Sequence, residues 1–294
     1  MPTNINNLNK TVLMSGADYF SDQQAINVYY NQKNPIDIAK AKDEHAAIKN
    51  ALEQAGVKVI KVDPPAGCQD GVYTANWALV RGSKAVLSSL PSARKNEESY
   101  AEKVLRNLGK EVVRIPGDVH FSGQGDALPC GNYLLAGSGY RTDVKAHQFI
   151  AQQLGYEVIT LQAIPKRGFF GHGKSVINKD SGWPDSFFYD IDLAIAVLRP
   201  DLIAWCPKAF VPSSRAKIRA LPGIEKIEAS YKEATKGFAC NLVSTGETVI
   251  MSATAPKLKA AIESKGLKTV TIEAKELGKG GGYIRCCTLT LDNE

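Results

Sequence analysis

Long apolar runs are missing from this chain. No stretch approaches the ~18 consecutive apolar residues of a membrane span, and the polar, asparagine-rich residues 1–10 carry no apolar core of a secretion signal. A cytoplasmic protein without membrane contact is therefore expected. CxxC spacing is also absent. The six cysteines, Cys68, Cys130, Cys206, Cys240, Cys286 and Cys287, do not fit a small disulfide scaffold and point to reduced thiols. Histidine is scarce: His45, His120, His147 and His172 lie far apart, so no metal site is expected. No basic tract is interleaved with aromatics, and the net charge of +6 is spread along the chain. That excludes nothing about anionic small molecules but gives nucleic-acid binding no support.

What the chain does have is repetition. Five times a helical-looking segment ends at a glycine followed by a short β-prone run, at Gly56, Gly109, Gly155, Gly223 and Gly266. Each glycine suits the C′ position of a helix, where φ is positive. Helical periodicity predicts helices over 36–55, 96–108, 142–154 and 255–265, with a weaker one before Gly223. Paired strands are predicted between them: 71–80 with 84–88, 126–129 with 133–136, 191–198 with 202–206, and 240–244 with 248–252. The irregular period excludes a solenoid. The expected fold is α/β, a closed propeller-like ring of five units in a single domain, 11–294, behind a tail at 1–10. The glycine-rich stretch 168–183 reads as a surface loop or lid.

In such a ring the strand ends facing the axis supply one central site. Gly280-Gly281-Gly282 frees the backbone for close approach to a ligand, and Arg285 then precedes Cys286, where a cationic neighbour favours the thiolate. On an alternating strand Cys286 and Cys287 point to opposite faces, with Cys286 expected in the cleft. Asp70 and Asn76 flank Gly-Val-Tyr-Thr-Ala at the start of the first paired strand, Asp126 directly precedes the second, and Asp190 and Asp192 share a strand face in the fourth unit. Arg94 and Arg141 stand in turns from which a guanidinium grips a carboxylate. Singly, each is ordinary turn, cap or surface chemistry. Together they form a set in which carboxylates hold a planar cation, arginines hold a carboxylate, and a thiolate attacks an electrophilic carbon.

The chain resembles the pentein superfamily of guanidine-modifying enzymes over about residues 11 to 291. The resemblance rests on Asp70-Gly-Val-Tyr-Thr-Ala-Asn76, Pro91-Ser-Ala-Arg94, Gly123-Gln-Gly-Asp126, Gly139-Tyr-Arg141-Thr-Asp143, Phe188-Tyr-Asp190-Ile-Asp192, Pro207-Lys-Ala-Phe210 and Gly280-Gly-Gly-Tyr-Ile-Arg-Cys286, in the family's order. It implies a five-bladed α/β propeller with Cys286 as nucleophile. Asp70 and the two arginines then correspond to groups holding the amino-acid end of a substrate, and Asp192 to the acid that binds guanidinium. Asn76 stands where deiminases have aspartate and where arginine dihydrolases have asparagine. Two departures stand out. Asp190 occupies the place of the family's catalytic histidine, and Ser122, with Gln124 close by, that of its glutamate; His172 is one substitute to consider.

The expected activity is hydrolysis or amidino transfer at the guanidine or amidine carbon of arginine or an arginine-like compound. It runs through a covalent Cys286 intermediate, with Asp190 as acid/base and Asp70, Asn76, Arg94, Asp126, Arg141 and Asp192 binding substrate. No cofactor is called for, and the partner is a small guanidino or amidino molecule; self-association into a homo-oligomer stays open. The alternative is a guanidine-binding pseudoenzyme or regulatory protein that has lost turnover with the family's acid/base residues.

Overall fold

The computed structural model describes residues 8–166 and 176–293. The chain opens on β1 (Thr11–Met14), crosses by α1 (Ile38–Gln54) and returns as β2 (Lys58–Lys61), parallel to β1. The second unit is β3 (Ala78–Arg81), β4 (Lys84–Leu87), α2 (Lys95–Asn107) and β5 (Glu111–Arg114). The third is β6 (Ala127–Cys130), β7 (Tyr133–Gly137), α3 (Val144–Leu154) and β8 (Glu157–Leu161). The fourth is β9 (Ile195–Arg199), β10 (Leu202–Trp205), α4 (Pro212–Ala220) and β11 (Glu225–Glu228). A short α5 (Tyr231–Gly237) leads to the fifth: β12 (Val243–Ser244), β13 (Thr248–Ser252), α6 (Pro256–Glu263) and β14 (Lys268–Ile272). After α7 (Lys275–Lys279) the chain ends in β15 (Leu289–Thr290), which pairs antiparallel with β1, Val12 opposite Thr290.

The result is five three-stranded sheets, each an antiparallel pair extended by one parallel strand that a helix delivers. This is the five-bladed α/β propeller, closed by pairing the last strand with the first. Helix ends follow local chemistry. Asp37 caps α1 by accepting from the Lys40 N–H, and buried Ala41, His45, Ile48, Ala51 and Leu52 form its inner stripe. All five repeat glycines have positive φ, from +68° at Gly223 to +85° at Gly56; Gly56 and Gly109 stand at C′, Gly155 is itself the cap, and Gly223 and Gly266 lie one position beyond C′. Outer strands such as β14 are largely exposed, whereas the inner strands β12 and β15 are buried.

Two expectations need correction. The predicted strands begin too early: Thr74–Trp77 and Ile191–Leu193 are 3-10 turns, and the strands proper start only at Ala78 and Ile195. Likewise 8–10 are not a loose tail. Leu8 N donates to Thr245 O, Asn9 to Ser244 O, and the Lys10 and Thr11 N–H groups to the Asp292 carboxylate. Among the described residues no helix is long and apolar enough to cross a membrane, and no group of three or more metal-ligating side chains occurs.

Candidate active site

The segment just before each inner strand carries the chemistry. Asn76 lies in the turn before β3, Asp126 before β6, Asp190 and Asp192 before β9, Asn241 before β12 and Cys286 before β15. Such turns leave backbone and side-chain groups free of ladder pairing, and here they bond to one another across blades.

At the thiol end, Cys286 donates to Asp192 Oδ2 at 3.2 Å, and Asn241 Nδ2 lies 3.1 Å from the sulfur. Asn241 Oδ1 accepts from the Tyr283 and Cys286 N–H groups at 3.0 and 3.1 Å. Residues 284–287 are a turn rather than a strand, so strand alternation does not separate the two cysteines, although it is Cys286 whose sulfur meets Asp192. The glycines serve packing within the protein. A Cβ at Gly282 would strike the Tyr73 ring and come within 2.8 Å of Cys286 Cβ. Arg285 does not face the thiol: its guanidinium donates to Thr290 Oγ1 and Gln124 Oε1, each at 2.9 Å. Burial, then the charges of Asp192 and Asp190, push the Cys286 thiol well above its ordinary range, so the resting sulfur is protonated.

At the acid end, Asn76 Nδ2 donates to Asp190 Oδ2 at 2.7 Å and to the carbonyl and hydroxyl of Ser122, both at 3.0 Å. A side chain at Gly125 would collide with the Asn76 amide and approach Asp190 Oδ2 to 2.7 Å. Asp126 Oδ1 accepts the Ile191 N–H at 3.1 Å. Asp190 and Asp192 do not share a strand face, because the chain between them enters a 3-10 turn. They nevertheless lie close enough to couple. Burial raises all three acids, and Asp190 adds to the effect on both Asp126, pushed up to about 8, and Asp192. Asp190 and Asp192 are both 0% exposed, and the buried Oδ1 of each has no hydrogen-bond partner among the described residues.

The two arginines differ. Arg94 forms a fork with Glu97 at 2.8 and 2.7 Å and also donates to Asn76 Oδ1 at 2.7 Å and to the Asp70 and Tyr73 carbonyls. Its guanidinium is engaged by protein groups and orients Asn76, in place of the expected grip on a substrate carboxylate. Arg141 makes no direct ion pair among the described residues, although its charge offsets part of the rise at Asp190 and Asp126. It stacks 4.1 Å above the Tyr189 ring and donates to Ile26 O at 3.2 Å.

Asp70 accepts from the Tyr30 hydroxyl at 2.5 Å. Ile26 and Tyr30 belong to the segment between β1 and α1, which lies across the site. Asn27 holds it to Gly280 O, and Asn178 and Asp180 hold it at Ala25. Asn178 and Asp180 belong to the predicted loop or lid, of which 168–175 lie outside the described residues.

His147 bonds Thr160 and Gly137 O, His120 stacks on Trp183 beside Asp143, and His45 is buried on α1 and held near pKa 4 by desolvation. His172 lies outside the described residues. Gln124 is occupied by Arg285 and β15. Asn241 was not anticipated from the sequence. The signal was a polar residue two positions before the fifth inner strand, hidden because 240–244 reads as continuous strand.

A five-bladed ring with a buried thiol between acids at its axis defines a pentein, the guanidine-modifying class. Within that class the chain belongs to the family described as N,N dimethylarginine dimethylhydrolase, eukaryotic, whose model matches residues 17–292. An N(G),N(G)-dimethylarginine dimethylaminohydrolase of Mycobacterium tuberculosis is 30% identical over 95% of this chain and 84% of that protein. The bifunctional arginine dihydrolase/ornithine cyclodeaminase ArgZ of Synechocystis sp. is also 30% identical, over 95% of this chain but only 37% of its own length. The N-terminal domain of ArgZ bound to product, an arginine dihydrolase from cyanobacteria, superimposes with a TM-score of 0.85 at 28% identity, covering 96% of this chain and 97% of that domain. A variant of the same domain has been solved covalently bonded to a reaction intermediate.

Proposed function

We propose that this protein hydrolyses the guanidino carbon of arginine or an arginine-like compound through a covalent Cys286 intermediate. The observation that carries the reading is the Cys286–Asp192 contact at 3.2 Å, with an Asp190 and an Asp192 oxygen that have no partner among the described residues. Such a site suits a planar cation with N–H groups on two edges.

A guanidinium bound between Asp190, which enters protonated, and the ionised Asp192 offsets the charge that, with burial, opposes the thiolate. Asp192 then takes the thiol proton, and sulfur bonds to the guanidino carbon. Asp190, oriented by Asn76, protonates the departing nitrogen, and the C–N bond breaks to release ammonia or an amine. Water adds to the amidino carbon, the C–S bond breaks, and the carbon leaves as a ureido group while the sulfur regains its proton. Arg141, and Asp70 once Tyr30 yields, suit the α-carboxylate and α-ammonium of an amino-acid substrate. Asp126 supports Asp190 through the turn at Ile191, and Arg94 supports Asn76.

A guanidine-binding protein without turnover is the second reading. One observation favours it: none of the described histidines bonds to the thiol, His147 and His120 being engaged elsewhere and His45 buried on α1. Release of ammonia or amine from free, mono- and dimethylated guanidino compounds separates the two. Turnover of any member that Cys286→Ser abolishes supports the hydrolase; binding without release supports the second reading.

A further inference from the structure

Among the described residues no cation hydrogen-bonds the Cys286 sulfur. Arg285 spends its hydrogen bonds on Thr290 and Gln124, so that only its charge reaches Cys286 and Asp192, and the position of the family's imidazole is Asp190. The other groups that bear on the sulfur, Asp192, Asp190 and the phenols of Tyr29 and Tyr189, are neutral or anionic, and burial adds to their opposition to a thiolate. The groups that donate to the sulfur directly are neutral, the Tyr283 N–H and the Asn241 carboxamide.

The orientation of that carboxamide follows from its other end. Two main-chain N–H groups, at Tyr283 and Cys286, converge on Oδ1 at 3.0 and 3.1 Å. Both can only donate, so the atom they meet is the oxygen, and the nitrogen faces the sulfur at 3.1 Å. We propose that Asn241 is a catalytic residue: Nδ2 donates to the sulfur and stabilises the thiolate formed when Asp192 takes the thiol proton. Meanwhile Oδ1 clamps the turn that carries the sulfur. A charge-assisted hydrogen bond of this kind is about twice as strong as a neutral one, so the contact tightens as the sulfur ionises. The proposal rests on Cys286 as the nucleophile but not on any particular substrate.

The test is alkylation of Cys286 by iodoacetamide as a function of pH, in the full chain, with the modified peptide located by mass spectrometry. Asn241→Asp keeps both acceptor contacts and replaces the donor with an acceptor. Its alkylation midpoint should move up, and the rate at neutral pH should fall by about tenfold or more. With a turned-over substrate, kcat should fall more than KM changes. A pH profile superimposable on the native one in the folded variant overturns the proposal. The native protein gives a second readout that needs no variant. The Asn241 side-chain amide signals in 15N–1H spectra should move with ionisation of Cys286, and signals indifferent to it overturn the proposal equally.

Discussion

Asn76 and Asn241 each stand two positions ahead of the inner strand of their blade, and each turns its amide nitrogen toward a group at the site. What holds their oxygens differs. Asn76 Oδ1 is pinned by Arg94, itself forked to Glu97, so the acid end is oriented by an ion pair that is 2% and 0% exposed. Asn241 Oδ1 is pinned by the backbone of the turn it serves. Orientation by buried charge ties reactivity to global stability, because an unpaired buried ion is costly. Orientation by main-chain donors separates the two.

The largest effect expected from this contrast is at Arg94. Arg94→Ala leaves Glu97 buried without its partner and should cost about 3–5 kcal/mol of stability, measured by urea unfolding. Replacing both ions, Arg94→Met with Glu97→Leu, should recover most of that stability while activity stays low, because Asn76 has lost its pin. If the double variant is fully active, the ion pair does not orient the acid end.

Next comes Asp190. Asp190→Asn should leave substrate binding nearly unchanged, as read by calorimetry, and lower turnover by roughly 10²-fold or more, the usual worth of a general acid. Full activity in that variant would remove Asp190 from the proton path.

A smaller effect concerns pH. Burial first, then Asp190, raises Asp126 from the ordinary 3.8 to about 8. Between those values the native state holds a proton that the unfolded chain releases, so this contribution is full below about pH 4 and is lost as pH rises to about 8. Asp126→Asn cannot ionise. Its melting temperature relative to the native protein should therefore climb steadily from pH 5 to 8, and a flat difference would contradict the assignment. The smallest effect is expected at His120, whose ring stacks on Trp183 away from the thiol. His120→Ala should leave turnover within about twofold, in line with a residue that supplies no proton transfer.

Much of this architecture is legible in the residue order. The repeat glycines announce all five helix ends because the turn that leaves each helix needs a residue tolerant of positive φ, at the cap or within two residues of it. Strand starts are less legible. Residues 71–77 and 191–194 are β-prone by composition, yet their polar side chains are satisfied across blades, and that competes with ladder pairing. The same competition concealed Asn241. Arg94 and Arg141 look alike in sequence, and the Glu97 three residues after Arg94 was the local clue to their difference. Arg285 next to Cys286 acts on the thiol through its charge alone, its hydrogen bonds going to Thr290 and Gln124, because adjacency in a turn does not fix where a long side chain goes.

In the proposed reaction Cys286 carries the amidino group during turnover. Rapid acid quench of the protein with the substrate it turns over, followed by intact-mass and peptide analysis, tests this directly. The prediction is an amidino adduct confined to the Cys286 peptide that forms before the ureido product, decays with it, and is absent in Cys286→Ser. Product formed at the native rate without such an adduct, or an adduct on another cysteine, would contradict it.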